Sequence, residues 1–250
     1  MKRHIPNFIT LLNVFCGCVA TVFAVLNQLE LAAVFVCLGI LFDFFDGLAA
    51  RVLDVRSELG LQLDSLADVI TSGVVPGIVM FQLLGMSMSG GWNVDMSAQA
   101  SDATFWVGLK VAPLPFFGFL ITMASAYRLA KFNIDANQTS SFIGLPTPAN
   151  TLLIISLPLI LIYQNNDLLN GIILNQWFLI AMTILSAVLL NSNIKLFALK
   201  FKNWNFQDNA LRYIFIIISL VLLVTFRFLA VPIIIAFYIV SSVISKYSNG

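Results

Sequence analysis

Two pairs of aspartates interrupt an apolar stretch of the chain: Asp43 with Asp46, three residues apart, and Asp64 with Asp68, four apart. At either spacing two helical side chains share one face. Two antiparallel helices joined by a short loop would therefore turn four carboxylates toward one another. Ionised side chains in apolar helices cost roughly 2.5–3.5 kcal/mol each, so four of them call for a compensating cation. Oxygen-only ligands suit hard divalent ions, Mg²⁺, Mn²⁺ or Ca²⁺, and two such ions would balance the set. No histidine or cysteine stands within the stretch, which disfavours zinc. The single histidine, His4, belongs to the basic N-terminus, leaving catalytic triads and histidine-rich metal sites without residues.

The residues between the acids extend this chemistry. Gly47 follows Asp46 directly, and Gly60 precedes Asp64 by one turn. Glycine inside a helix costs about 1 kcal/mol against alanine, so both positions point to backbone closely approached by a ligand or by a neighbouring helix. Ala50 is another small residue a turn further on, and the Arg51 guanidinium offers a fork of donors suited to phosphate. Asp54 and Glu58, in the connection, read as solvated. On the acids alone three other readings stay open: a proton or ion relay in a transporter, a structural metal clip, and Asp64 as a helix cap beside a solvated Asp68.

The elements that must hold these groups are membrane helices. Hydrophobic residues make up 60% of the 250, charged residues 10%, and the mean hydropathy is +0.95; soluble domains average about 45–50% apolar and 25% charged. A net charge of +1, with no block of like charges, excludes a nucleic-acid partner. Cys16, Cys18 and Cys37 lie in apolar runs without a Cys-x-x-Cys pair, and read as small buried hydrophobes. The basic start and the apolar run behind it lack an Ala-x-Ala cleavage site, so they read as a mature first helix with Pro6 in its first turn.

Stretches long enough to cross a bilayer core, about 20 residues each, fall at approximately 8–27, 31–53, 67–85, 104–130, 149–164, 175–193, 210–226 and 229–246. As one helix the run from Leu211 to Val243 would be about 50 Å long, well beyond the roughly 30 Å hydrocarbon core, so a hairpin is expected near Arg227 to Pro232. The expected fold is an all-α, polytopic integral membrane bundle of about eight transmembrane helices. Residues 1–200 would form a six-helix catalytic core and 201–250 a C-terminal hairpin in the same structural unit. No internal repeat is evident, which argues against an inverted-repeat transporter. With eight spans Lys2, Arg3, Arg51, Arg56, Arg128, Lys131, Lys195, Lys200, Lys202, Arg212 and Lys246 all fall on one side. The opposite stretches, 86–104 with Asp95 and Asp102, and 164–175, contain no base. Both termini and the acids are thus expected in the cytoplasm, with Lys110 and Arg227 as exceptions.

The full spacing D-x-x-D-G-x-x-A-R-x8-G-x3-D-x3-D is met by Asp43, Asp46, Gly47, Ala50, Arg51, Gly60, Asp64 and Asp68. It resembles the signature of the CDP-alcohol phosphatidyltransferase family, and eight fixed residues make chance agreement very improbable. Within that family the chain is most similar to the membrane-embedded phosphatidylserine synthases. Pro6 to Asn13, Arg128 to Asn133 and Phe142 to Pro148 carry this finer match, and Asp64 to Asp68 and Ser72 to Pro76 fit the same branch. The likeness covers roughly the first 160 residues. Lys131 departs from it, since that branch would have arginine there.

The resemblance implies the substrates CDP-diacylglycerol and L-serine, an inner-membrane location, a homodimer, and Mg or Mn, with Ca as a further option. It implies Asp43, Asp46 and Asp64 as the main metal ligands, with Asp68 closing the metal set and acting as general base. Gly47, Ala50, Arg51 and Gly60 would meet the nucleotide, and Asn7, Thr10 and Asn13, at helical spacing, either line its pocket or bridge helices. Serine carries a carboxylate, for which Arg128, with Lys131 and Asn133 nearby, is the expected partner; basic residues at cytoplasmic helix ends also commonly meet lipid headgroups.

Overall fold

The computed structural model describes residues 4–55, 57–89, 112–134, 142–164, 166–196 and 206–248. Within the described residues each expected span contains helix, residues 104–111 of the fourth lying outside them. The helices are α1 (His4–Val25), α2 (Leu29–Val52), a third run formed by α3 (Glu58–Asp68), a π turn (Val69–Val74) and α4 (Val75–Ser89), α5 (Leu120–Ile134) behind a 3₁₀ turn (Leu114–Phe119), and α6 (Thr147–Tyr163). Next come a short α7 (Asp167–Ile173), α8 (Gln176–Asn191), α9 (Phe206–Phe226) and α10 (Ala230–Ser248). By length and hydropathy four described helical stretches suffice to cross a membrane, or five if α7 and α8, bent by 60°, count as one span. The continuous stretch Arg212–Ile244 among them does not run straight: Phe215 of α9 stacks on Phe237 of α10 with ring centroids 5.7 Å apart. Residues 22 positions apart along a straight helix would be separated by about 33 Å. The expected hairpin therefore forms, turning at Arg227, whose φ is 50°, and α10 rests on α6.

The third span differs from expectation at its start. Its helix begins at Glu58, well before residue 67, because the Ser57 hydroxyl accepts the Gly60 amide at 3.0 Å and caps it. Asp64 thus lies inside a helix and is not its cap. A second departure from pure helix is a two-residue antiparallel ladder, Phe142–Ile143 (β1) against Lys195–Leu196 (β2). Gly144 behind it has φ 73°, and a Cβ there would meet the Leu190 carbonyl at 2.6 Å, so only glycine suits this turn.

Where α1 meets α2, packing follows membrane logic, with small residues inside and large apolar ones outside, while large side chains such as Met80, Leu83, Leu84 and Ile154 fill the core further in. Ala20, Ala24, Ala32, Ala33 and Val36 are buried where α1 meets α2, while Phe8, Phe15 and Val22 of α1 and Val221 and Val224 of α9 face outward. At the centre the π turn inserts Thr71 between α1 and α2. A Cβ at Gly17 would overlap the Thr71 hydroxyl, and one at Gly39 would lie 2.7 Å from Thr71 Cγ2. Thr151 of α6 and Thr122 of α5 donate at 2.9 Å to the Ser72 and Gly73 carbonyls, supplying partners that the irregular turn needs. Lys2, Arg3, Arg56, Asp95, Asp102, Lys110, Lys200 and Lys202 lie outside the described residues.

Candidate active site

The C-terminal half of α2 and the start of α3 bring three acids together: carboxylate oxygens of Asp43, Asp46 and Asp64 all lie within 4.8 Å of one another. Asp46 is buried, and its Oδ2 has no hydrogen-bond partner. An orphaned buried carboxylate oxygen beside two further carboxylates is costly without a cation. This donor set fits a divalent ion, with Asp43, Asp46 and Asp64 as the residues that would hold it. Asp68, one turn beyond Asp64, lies outside that trio. Its Oδ2 accepts from Thr147 Oγ1 at 3.5 Å, and the Arg128 charge acts on it.

Beside the trio opens a cavity of about 460 Å³. Asn7, Thr10, Asp46, Gly47, Ala50, Gly60 and Asp64 line it, so α1, α2 and α3 each contribute residues named from the sequence. A Cβ at Gly47 would meet nothing closer than Arg51 Nη2, at 3.8 Å. Helix packing therefore does not require glycine there, and the open side faces the cavity. Gly60 is tighter, with a Cβ meeting Ser57 Oγ at 3.1 Å and Asn7 Oδ1 at 3.2 Å. Arg51 is exposed, and its Nε donates to the Gly47 carbonyl at 2.9 Å, which holds the side chain back along α2 toward Gly47.

Asn13 stands apart from this cavity. It is fully buried, and its Oδ1 accepts from Thr71 Oγ1 at 2.7 Å, which makes it a bridge between α1 and the π turn. Arg128, Lys131 and Asn133 leave α5 in different directions. Arg128 is half-buried, and its Nη2 donates weakly to the Ile143 and Gly144 carbonyls at 3.5 and 3.4 Å. Lys131 is exposed but borders, with Arg128, a second cavity of about 90 Å³. Asn133 turns back toward α3 and exchanges hydrogen bonds with Ser65 at 2.9 and 3.1 Å.

Several site residues carry no signal in the motif. Glu58 was expected to be merely solvated; it is exposed but also borders the larger cavity, with Pro6, Val55, Ser57 and Leu61. Ser57 could have been found as a helix-start residue, and Thr147 belongs to the Phe142 to Pro148 stretch already singled out. Nothing local distinguished Thr71.

The sequence pattern of the CDP-alcohol phosphatidyltransferase family matches residues 3–189, and the chain belongs to that family. It is accordingly a polytopic membrane enzyme. Among curated relatives, a Bacillus subtilis protein is 31% identical over 150 residues, covering 58% of this chain and 70% of that protein. A Helicobacter pylori protein is 30% identical over 213 residues, covering 84% of this chain and 79% of its own, and one from Methanocaldococcus jannaschii is 28% identical over 169 residues, covering 68% and 66%. All three bear the name CDP-diacylglycerol–serine O-phosphatidyltransferase.

Proposed function

We propose that the chain is a phosphatidylserine synthase, transferring the phosphatidyl group of CDP-diacylglycerol to the hydroxyl of L-serine. The observation that carries this is the convergence of the Asp43, Asp46 and Asp64 carboxylates beside a nucleotide-sized cavity that Asp46 and Asp64 line, with Asp68 one turn away. Phosphoryl-type transfer needs charge neutralisation and alignment more than covalent help. Mg²⁺ or Mn²⁺, two ions in all and with Ca²⁺ a weaker candidate, would supply that neutralisation at the three acids, with Asp68 at the edge of the set. Gly47 and Ala50 leave room for the nucleotide against α2, Asn7, Thr10 and Gly60 line its pocket, and Arg51, bonded back to Gly47, offers its remaining donors to phosphate.

Asp68 takes the proton from the serine hydroxyl. The oxygen then forms a bond to the phosphorus that bears diacylglycerol, and the bond from that phosphorus to the bridging oxygen breaks, releasing CMP. Thr147 steadies the Asp68 carboxylate for this step. The Arg128 guanidinium receives the serine carboxylate, while Lys131 and Asn133 act through local charge and through α3. The site faces the cytoplasm of an inner membrane, as the basic residues Arg51, Arg128 and Lys131 gathered around it favour, and the enzyme works as a homodimer.

The test incubates purified protein with CDP-diacylglycerol, Mg²⁺ or Mn²⁺, and serine or glycerol 3-phosphate in parallel. CMP release with serine is expected. Release with glycerol 3-phosphate alone would replace the acceptor, and no release with any alcohol would remove the activity.

A further inference from the structure

The smaller cavity has a chemical polarity of its own. It lies between the end of α5 and the end of α8, has a volume of about 90 Å³, and has Arg128 and Asn191 on its walls. A space of this size holds a few waters or one small amino acid. Two buried atoms of its lining side chains lack any partner: Arg128 Nε, a donor, and Asn191 Oδ1, an acceptor. The Asn191 amide is not free to turn. Its Nδ2 donates to the Ala124 carbonyl at 3.1 Å and to the Ala187 carbonyl at 3.2 Å, and the flipped amide would set its oxygen against those two carbonyls. Arg128 is fixed in a similar way by its Nη2 contacts with the Ile143 and Gly144 carbonyls.

Arg128 brings a cationic donor and Asn191 a fixed neutral acceptor to the lining of one small cavity, with the exposed Lys131 as a second cation at its border; the pairing of donor and acceptor matches a ligand that carries both a carboxylate and an ammonium. A phosphate-bearing acceptor would leave Asn191 Oδ1 facing an anion, with no proton to accept. We infer that Asn191 is a specificity-determining residue that accepts a hydrogen bond from the ammonium of the amino-acid acceptor whose carboxylate is held at Arg128. The inference rests on the proposed serine reading and adds the residue that selects for the amine. Asn191 lies just beyond the segment that the family shares, 3–189, where a feature particular to one acceptor can reside without touching the common chemistry. The β1–β2 ladder next to it holds the Ile143 side of the cavity against the chain beyond α8.

The test compares two unreactive competitors of serine, L-alanine with both charged groups and propionate with the carboxylate alone, in wild type and in Asn191→Leu and Asn191→Ala. In wild type alanine should inhibit about tenfold or more better than propionate, the selectivity of one charge-assisted hydrogen bond. In both variants that ratio should fall toward one, the serine KM should rise by a similar factor, and the KM for CDP-diacylglycerol should stay unchanged, which also shows that the variant is folded. Equal inhibition by the two competitors in wild type, or a ratio that survives in a variant with unchanged KM for the liponucleotide, would overturn the assignment. Absence of serine-dependent CMP release in wild type would instead remove the reading on which it rests.

Discussion

Gly47→Ala separates ligand approach from helix packing, because the two explanations give opposite signs in stability. The new methyl would meet only the end of the Arg51 side chain, at 3.8 Å, an ordinary contact. The folded protein should therefore lose nothing and gain up to about 1 kcal/mol of helix propensity, a rise in Tm of about 2–4 °C for a chain of this size. The methyl does project into the cavity that the proposed function gives to the liponucleotide. Overpacking by one methyl costs typically about 1–3 kcal/mol, which at about 1.4 kcal/mol per factor of ten becomes a 5- to 150-fold rise in KM for CDP-diacylglycerol. The assay pairs thermal unfolding in detergent with initial rates of CMP release at varied liponucleotide and saturating serine. Gly39→Ala is the opposite case: its methyl would stand 2.7 Å from Thr71 Cγ2 and 2.9 Å from Asn13 Oδ1, so Tm should fall. A Gly47→Ala protein that is less stable yet has an unchanged KM would refute the reasoning.

Four further substitutions probe the remaining parts. Asp68→Asn should lower kcat by about 10²–10⁴ while Mg²⁺ or Mn²⁺ still raises Tm, since Asp43, Asp46 and Asp64 remain; Asp46→Asn should abolish that metal-dependent rise, and thermal unfolding with and without metal reads both. Thr71→Val removes the donor to Asn13 Oδ1 and should cost about 1–3 kcal/mol of stability, seen as a lower Tm with both KM values unchanged. Arg128→Ala should raise the apparent serine KM by about 10- to 150-fold, the range for hydrogen bonds to a charged group, and unchanged serine affinity would remove the carboxylate assignment.

The larger cavity could be read from the sequence because its chemistry is local. Spacings of three and four fix which acids share a helix face, and the chain between Arg51 and Gly60 is too short to separate α2 from α3. Hydropathy likewise placed the expected spans on helices, though not the early start of α3 at Glu58 or the short α7, and length alone required the hairpin that the Phe215–Phe237 stack closes. Asn7, Thr10 and Asn13 mark where local reasoning ends. They repeat at one spacing, yet Asn7 and Thr10 line the cavity while Asn13 is buried against Thr71, because the π turn approaches α1 at that level. A π turn has no composition of its own, and Val69 to Val74 reads as ordinary apolar helix. Asn191 was equally silent: asparagine at a helix end looks like a terminator, and its amide gains meaning only when α8 meets Arg128 across the bundle.

The most direct measurement supplies serine labelled with ¹⁸O in its hydroxyl, together with CDP-diacylglycerol and Mg²⁺ or Mn²⁺, and follows the label by mass spectrometry. Attack by the serine oxygen on the phosphorus bearing diacylglycerol predicts labelled phosphatidylserine and unlabelled CMP, formed in equal amounts. Unlabelled lipid product, or CMP released at the same rate without serine, would contradict it.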